Sequence, residues 1–212
     1  MADSSAAAGG GCCRCCSSFI LTLGFTALFM WLSLRTSKPV CSIQDIYVPP
    51  LNKSENSTYY KIYFDLKLDN ENKDKGIYYD ALNLTFYYPP NLTTPIGNKT
   101  FPGFYQGHKK NARRKDWVEV HGVPWPAAIK AAANGSAVFR VDLATAVRFK
   151  VMVWKTKRHK LVVGADVQVN DFGKKVYKKG VRLTSGAPER ERYHARTGLL
   201  LLVLSVLSLI II

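Results

Sequence analysis

The stretch Tyr60-Lys61-Ile62-Tyr63-Phe64-Asp65-Leu66-Lys67-Leu68-Asp69 decides the fold. Apolar side chains occupy every second position, and four of the five side chains between them are charged. This period of two is typical of a β-strand that buries one face. The same alternation predicts further strands at 82–88, 137–143, 147–153 and 163–169, and weaker strands at 101–106 and 117–123.

About seven strands of this kind predict an all-β domain, built as a two-sheet sandwich like those of fibronectin or immunoglobulin domains. Asn83 is expected on the solvent face of its strand, and Val153 on the buried face of its own. A polar loop is predicted at 70–76, and a hairpin connection at 155–160. Only 126–133 is predicted to be helical, because Pro lies near its start and Asn134-Gly135 follows it as a stop signal.

The length and the charge limit what the chain can do. Its 212 residues accommodate one ordinary domain plus targeting segments. The formal charge of +15 attracts polyanions, which are nucleic acid, anionic lipid headgroups or acidic polysaccharide. The compartment decides between these partners.

An anchor is predicted near the start of the chain. Segment 17–34 is uncharged and mostly apolar, and as a helix it would rise about 27 Å, close to the roughly 30 Å of a bilayer core. Trp31 suits the membrane interface. A cleavable signal peptide is the alternative, but 35–39 lacks a small-x-small cleavage pattern. We therefore predict an uncleaved transmembrane helix at 17–34 behind a short tail at 1–16.

Four of the five cysteines directly precede this helix. Thiols beside a membrane segment are typical S-acylation sites, and these are Cys12, Cys13, Cys15 and Cys16. A metal knuckle is the alternative, although no histidine lies nearby. The remaining Cys41 cannot form a disulfide within its domain, so it either stays a free thiol or pairs with a second chain.

The end of the chain has the order of a glycosylphosphatidylinositol attachment signal: small residues, a polar spacer at 188–198 and an apolar tail at 199–212. We predict attachment at Ser185, with Gly186 as the alternative, and removal of 186–212. A second membrane span is the competing interpretation, but this tail would rise only about 21 Å as a helix.

Two signals disagree about orientation. The positive-inside rule weighs Arg14 against Arg35 and Lys38 and slightly favours a cytosolic body. The lipid signal works only from the lumen, and six Asn-x-Ser/Thr sequons indicate exposure to glycosylation, at Asn52, Asn56, Asn83, Asn91, Asn98 and Asn134. We therefore place the domain at 39–185 outside the cell and the tail at 1–16 in the cytosol.

Catalytic signatures are not found in the sequence. It contains no Gly-rich phosphate loop, no G-x-S-x-G and no H-E-x-x-H, and its four histidines have no spacing that suggests a nucleophile or metal partner. Asp166 and Asp171 are interpreted as solvated acids. We predict that the protein is not an enzyme and uses no cofactor and no metal.

A basic contact patch is predicted in loops, formed by Lys109, Lys110, Arg113, Arg114, Lys115, Lys157, Arg158 and Lys160. These residues are either solvated turns or a contact for acidic cell-wall polysaccharide or anionic lipid headgroups. Nucleic acid is excluded as a partner by the extracellular compartment. Phe104, Tyr105, Trp117 and Trp154 lie near these loops and are interpreted as the edge of the core.

Several stretches carry a family resemblance. They are Cys-Cys-Arg-Cys-Cys at 12–16, Trp-Leu-Ser-Leu-Arg at 31–35, and the segments 73–80, 104–110, 134–140, 154–158 and 163–167. From 12 to 185 the chain resembles the plant non-race-specific disease resistance proteins, in the harpin-induced-like family with a late-embryogenesis-abundant type 2 domain.

The resemblance implies a glycosylated, lipid-anchored sandwich at the plasma membrane that acts in resistance signalling upstream of coiled-coil intracellular immune receptors. It also implies that residues 1–16 meet a membrane-tethered immune regulator in the cytosol. Two departures stand out. The usual Asn-Pro-Asn loop is Asn70-Glu71-Asn72 here, which predicts a looser turn, and an Asn-Gly-Asp adhesion tripeptide is absent at 169–173.

Overall fold

A computed structural model describes residues 10–34, 36–54, 59–135, 137–151 and 153–185, with side chains described only for 18–31 within the first of these ranges. The described chain contains two α-helices, one 3-10 turn (Pro49–Leu51) and eleven strands. They are α1 (Gly10–Leu34), β1 (Val40–Tyr47), β2 (Lys61–Asp69), β3 (Gly76–Tyr79), β4 (Leu82–Tyr87), β5 (Gly97–Phe101), β6 (Phe104–Gln106), β7 (Asn111–Glu119), α2 (Trp125–Ala133), β8 (Ala137–Val151), β9 (Trp154–Lys155), β10 (His159–Val169) and β11 (Val181–Arg182).

The strands form two antiparallel sheets. One has four strands in the order β11-β1-β2-β7, and the other has seven. The long strand β8 lies in the interior of the second sheet. At Val147 it pairs with Tyr79 of β3 on one side and with His159 of β10 on the other. Strands β4 and β3 thus follow one another along one edge of β8, and β10 and β9 along the opposite edge. With β5 and β6 outside β4 and β3, the seven strands form four side-by-side rows, which we call lanes: β5 and β6, β4 and β3, β8 alone, and β10 and β9.

The outermost of these lanes bends between β5 and β6. Gly103 lies at the bend, and a Cβ built on it would be 2.6 Å from the Tyr79 carbonyl oxygen. A side chain at this position would therefore push the outer lane away from β3. Glycine is the residue that permits this close approach.

The core lies between the two sheets. Ile62, Leu66 and Leu68 of β2 are fully buried and belong to the same cluster as Leu84 and Phe139 of the facing sheet. The rings of Phe64 and Phe86 meet across the interface with their centroids 5.4 Å apart. Each such side chain contributes about 1.5–3 kcal/mol when fully buried. The predicted all-β, two-sheet sandwich is confirmed.

Several strand predictions need correction. The separate strands expected at 137–143 and 147–153 are one strand, β8. Ala144-Thr145-Ala146 between them contains no turn-forming residue, and the buried positions keep the same parity on both sides. Because β8 ends at Val151, Val153 is 89% exposed rather than buried. Strand β1 was not predicted, since a bulge between Ile43 and Asp45 shifts its alternation.

The helix predicted at 126–133 is confirmed as α2. The sequence also predicted a transmembrane helix at 17–34. Within the part of the chain that the structure describes, no helix meets the length and hydropathy needed to cross a membrane.

Candidate functional site

The two ends of the sandwich lie side by side. Strand β11 pairs antiparallel with β1, with Arg182 opposite Ser42, and the Leu183 N–H donates to the Cys41 carbonyl at 2.9 Å. Since the two strands run in opposite directions, β1 begins where the chain after β11 leaves. We call this the proximal end of the sandwich, and the opposite end the distal end.

Four connections share the proximal end with residues 36–39 and 183–185. Strand β2 ends here, because Asp69 pairs with Val40, and β7 begins here, because Asn111 pairs with Asp69. In the facing sheet, Gly76 at the start of β3 pairs with Lys150 near the end of β8. The proximal end therefore carries the loops 70–75, 107–110 and 156–158 and the turn between β8 and β9.

The loop at 70–75 holds the linker that follows α1. Asn72 Nδ2 donates to the Ser37 carbonyl at 2.9 Å, and the Ser37 N–H donates back to Asn72 Oδ1 at 2.8 Å. Both amide atoms of one side chain thus bind the backbone of one residue. Ser37 lies close in sequence to Leu34, the last residue of α1.

Asn70 holds Asn72 in position for its contact with Ser37. Its Nδ2 donates to the carbonyls of Lys75 (2.8 Å) and Gly107 (3.0 Å). Its Oδ1 accepts hydrogen bonds from the backbone and side-chain nitrogens of Asn72. Asn70 and Asn72 are only 2% and 6% exposed, so each of these bonds offsets the cost of burying a polar group. The two asparagines fix the turn although Glu71 replaces the proline expected between them.

The predicted basic patch is divided by the fold. Lys109 and Lys110 lie in the turn before β7, and Lys157 lies in the loop before β10, all exposed at the proximal end. Arg158 is also in this loop, but its Nε donates to Asp80 Oδ2 at 2.6 Å. The Arg158 side chain is largely exposed and that of Asp80 is partly exposed, so the pair contributes about 0–1 kcal/mol.

The remaining basic residues are not in loops, so that part of the prediction is wrong. Arg113, Arg114 and Lys115 belong to β7, and Lys160 belongs to β10. β7 is the outer strand of its sheet, where charges are well tolerated. Arg114 points toward the facing sheet and stacks on Phe104, its guanidinium carbon 4.5 Å from the ring centroid. Arg113 and Lys115 point outward and are exposed.

A row of aromatic side chains crosses the outer face of the four-stranded sheet. Tyr63 pairs with Tyr47 on one neighbouring strand and with Trp117 on the other. The rings of Tyr47 and Tyr63 are 6.2 Å apart, and Lys61 Nζ lies 3.9 Å from the Trp117 ring centroid. Trp117 is 39% exposed and is not part of the core edge, contrary to the sequence-based interpretation. The alternation Tyr63-x-Asp65 could have revealed this outward tyrosine.

A second exposed apolar group was also missed. Val153 and Trp154 follow β8 at the proximal end, and Trp154 is 54% exposed. The neighbouring Lys155 places its Nζ 4.3 Å from the centroid of the Tyr78 ring. An apolar dipeptide directly before a basic run is the signal that could have identified this tip.

None of the described sequon asparagines lies in a proximal loop. Asn52, Asn91 and Asn134 lie in connections at the distal end. Asn83 and Asn98 lie on the adjacent strands β4 and β5, where each faces the threonine of the other's sequon. Asn83 is exposed as predicted; Asn52 is half-buried, and the other three are exposed. Asn56 lies outside the described residues.

The predicted lipid sites can be placed only in part. Ser185 is exposed and is the last residue described, next to the proximal end. Gly186 and the tail 186–212 lie outside the described residues. Cys12, Cys13, Cys15 and Cys16 fall within α1, but their side chains are outside the description.

Cys41 is a buried free thiol of the core, only 1% exposed. Burial raises the pKa of this thiol to about 12, with a smaller contribution from Asp69. A pairing between chains would require this part of β1 to open. In the described residues, no group of three or more His, Cys, Asp or Glu side chains could hold a metal ion.

The fold and the surface together define a β-sandwich module whose polypeptide enters and leaves on the same side, the proximal end. The chain is 48% identical over 174 residues to Protein NDR1 of Arabidopsis thaliana, which is 78% of each protein. The chain therefore belongs to the NDR1/HIN1-like family. In the same plant, NDR1/HIN1-like protein 10 is 31% identical over 94 residues, covering 43% of this chain and 40% of that protein. NDR1/HIN1-like protein 12 is 30% identical over 107 residues, or 50% of each.

No family model matches the sequence. Among solved structures, a crystal structure of a protein from Archaeoglobus fulgidus aligns with 64% of this chain and 98% of that chain, at 6% identity and a TM-score of 0.31.

Proposed function

We propose that this chain is a plasma-membrane glycoprotein that acts in plant disease-resistance signalling, upstream of coiled-coil intracellular immune receptors and without catalysis of its own. The observation that carries the proposal is the 48% identity to Protein NDR1 over 78% of both chains. Plants that lack the gene should lose resistance to a pathogen recognised through such receptors, and the full-length chain should restore it. Restoration that depended on a single acidic or histidine side chain would point instead to an enzyme.

The proposed attachment uses both ends of the chain. A helix at 17–34, S-acylated at the preceding cysteines, anchors the start, and a glycolipid at Ser185 anchors the end. Three observations support this arrangement: the uncharged, apolar sequence of 17–34, the exposed sequon asparagines, and the pairing of β11 with β1, which lets a single bilayer receive both ends.

Mass spectrometry of both termini of the purified protein tests the attachment, because it reports cleavage, acylation and glycolipid together. Protease added to intact cells should remove the sandwich, and a glycosidase should lower its mass. A sandwich that survives the protease, with unmodified asparagines, would exclude an extracellular location.

The cytosolic contact is assigned to residues 1–16, which meet a membrane-tethered immune regulator. Deletion of 1–16 should abolish co-purification of that regulator. A second variant with serine at Cys12, Cys13, Cys15 and Cys16 separates direct contact from acylation. An undiminished pull-down with the deletion variant would reject this assignment.

A second candidate function is adhesion to acidic cell-wall polysaccharide. The observation that favours it is the aromatic row Tyr47, Tyr63 and Trp117, flanked on the same face by Arg113 and Lys115. Rings can pack on sugar faces while the cations attract carboxylates. The pair R113E and K115E should lower retention on pectin at low salt, whereas the matched pair K178E and K179E should not. Equal retention by both variants rejects this function.

A further inference from the structure

The proximal end combines exposed apolar and basic side chains. Val153 lies in the turn between β8 and β9, and Trp154 is the first residue of β9; they are 89% and 54% exposed. Tryptophan at the boundary between an apolar phase and water is typical of membrane interfaces. The apolar surface that Val153 and Trp154 leave uncovered would gain free energy by entering such a boundary.

Lysines surround this apolar tip. Lys38, Lys73, Lys109, Lys110 and Lys157 are exposed at the same end. The exposed acids among the described residues there are Glu71 and Asp74, whereas Asp69 and Asp80 already pair with Lys67 and Arg158. The end is therefore positively charged, and it suits an anionic surface rather than another basic protein.

The chain itself brings this end close to the proposed anchor. Ser37 is bound to Asn72 at the proximal end, and three residues of extended chain from Leu34 to Ser37 span at most about 11 Å. Ser185 leaves from the same end. The described sequon asparagines lie away from it, so glycans would not separate this end from a bilayer.

We infer that the proximal end rests on the bilayer that holds the chain's own anchors. Val153 and Trp154 enter the headgroup boundary, and Lys109, Lys110 and Lys157 contact lipid phosphates. The inference deepens the proposed membrane attachment and rests on it. In a bilayer whose facing leaflet carries anionic lipid, each lysine near the surface strengthens such contact about fivefold at moderate ionic strength. The sandwich is thereby held in one orientation, with the glycans and the distal loops facing outward.

Chemical labelling of the full-length protein tests this orientation. Right-side-out plasma-membrane vesicles are treated with a membrane-impermeant amine reagent, before and after detergent, and lysine modification is measured by peptide mass spectrometry. Modification of Lys73, Lys109, Lys110 and Lys157 should rise severalfold in detergent, because the bilayer then no longer covers these amines. Lys174, Lys178 and Lys179, in the exposed connection between β10 and β11, are the internal control and should label equally in both states.

Equal labelling of the proximal lysines in vesicles and in detergent overturns the inference. A protein recovered without detergent in the soluble fraction overturns the proposed attachment instead, so the two failures are distinguishable.

Charge reversal in defined bilayers separates lipid contact from burial against another protein. Full-length protein is placed in nanodiscs of phosphatidylcholine alone or with phosphatidylserine, and the labelling of Lys73 and Lys155 is measured. The variant K109E/K110E/K157E should raise this labelling in the anionic discs, whereas the matched variant K174E/K178E/K179E should not. High salt should reproduce the proximal variant's effect in the wild type. Labelling unaffected by lipid charge and by both variants rejects the contact.

Discussion

The Lys99 ammonium of β5 lies 2.8 Å from the Asp116 carboxylate of β7, so a salt bridge joins edge strands of the two sheets. Burial alone would raise the pKa of Asp116. The hydrogen bonds from Lys99 and from the Trp117 N–H outweigh this effect and hold the pKa below its ordinary value. The pair links the two edge strands on one open side of the sandwich, where the His121 N–H after β7 also donates to the Ile96 carbonyl before β5 at 2.8 Å.

This pair predicts a pH-dependent loss of stability in D116N. Because the folded-state pKa is lowered, the contribution of Asp116 is present above its unfolded pKa of about 3.8 and disappears as pH falls through the folded pKa. Denaturant unfolding should show the variant about 1 kcal/mol less stable at pH 7. The difference should vanish at strongly acidic pH. A deficit that persists there, or an equal pH-dependent deficit in D171N, whose salt bridge is more exposed, would contradict this role.

Removal of the Asn72 side-chain amide should release the backbone of Ser37 from the sandwich. N72A loses two hydrogen bonds to Ser37 and one to Asn70. We expect about 1–3 kcal/mol of destabilisation, because Asn70 Oδ1 and the Ser37 backbone lose partners. Hydrogen exchange at the Ser37 amide should accelerate. The exposed neighbour Glu71 provides the control, since E71A should leave the exchange unchanged; similar exchange in N72A and wild type would disprove the contact.

Replacing Gly103 by alanine should destabilise the fold through a steric clash, whereas the same replacement at Gly107 should not. G103A places a Cβ 2.6 Å from the Tyr79 carbonyl oxygen, so β3 and β6 must separate, at a cost of about 1–3 kcal/mol. G107A is the matched control, because its nearest contact is the Lys110 Cγ at 3.6 Å, an ordinary packing distance. Thermal and denaturant unfolding of the two variants provide the comparison. Equal stabilities would show that the outer lane is not tightly packed at Gly103.

We expect the Cys41 thiol to be unreactive in the folded protein. Its raised pKa of about 12 keeps it protonated at pH 8, and its burial excludes reagents. Iodoacetamide at pH 8 should modify Cys41 only after denaturant is added, as measured by peptide mass spectrometry. Rapid modification of the native protein, or a dimer that reductant dissociates through Cys41, would contradict this environment.

The division of the basic patch shows where the sequence is a poor guide. The run from Lys109 to Lys115 looks like one charged loop, but 111–115 belong to β7 and pair with β2 from Asp69 to Asp65. Alternation on an outer strand is weak, since both of its faces are partly exposed and can carry charge. Arg114 and Lys115 consequently point in opposite directions, although they are adjacent in sequence.

The sequence by itself determined the class of fold, the outward position of Asn83 and the helix after Pro124. These properties follow from local side-chain periods and from turn residues, which act over a few positions. It also supplied the segments proposed for lipid attachment. Alternation reports which side chains share a face, but it carries no information on which strands are neighbours.

Only the tertiary structure decided that Arg182 lies opposite Ser42, that β8 runs unbroken through Ala144-Thr145-Ala146, and that Trp154 lies at the same end of the sandwich as Lys109 and Lys157. Pairing of residues far apart in sequence is selected by burial of both sheets against each other, which depends on the whole set of strands. The shared exit of the two chain ends is therefore a property of the assembled sandwich.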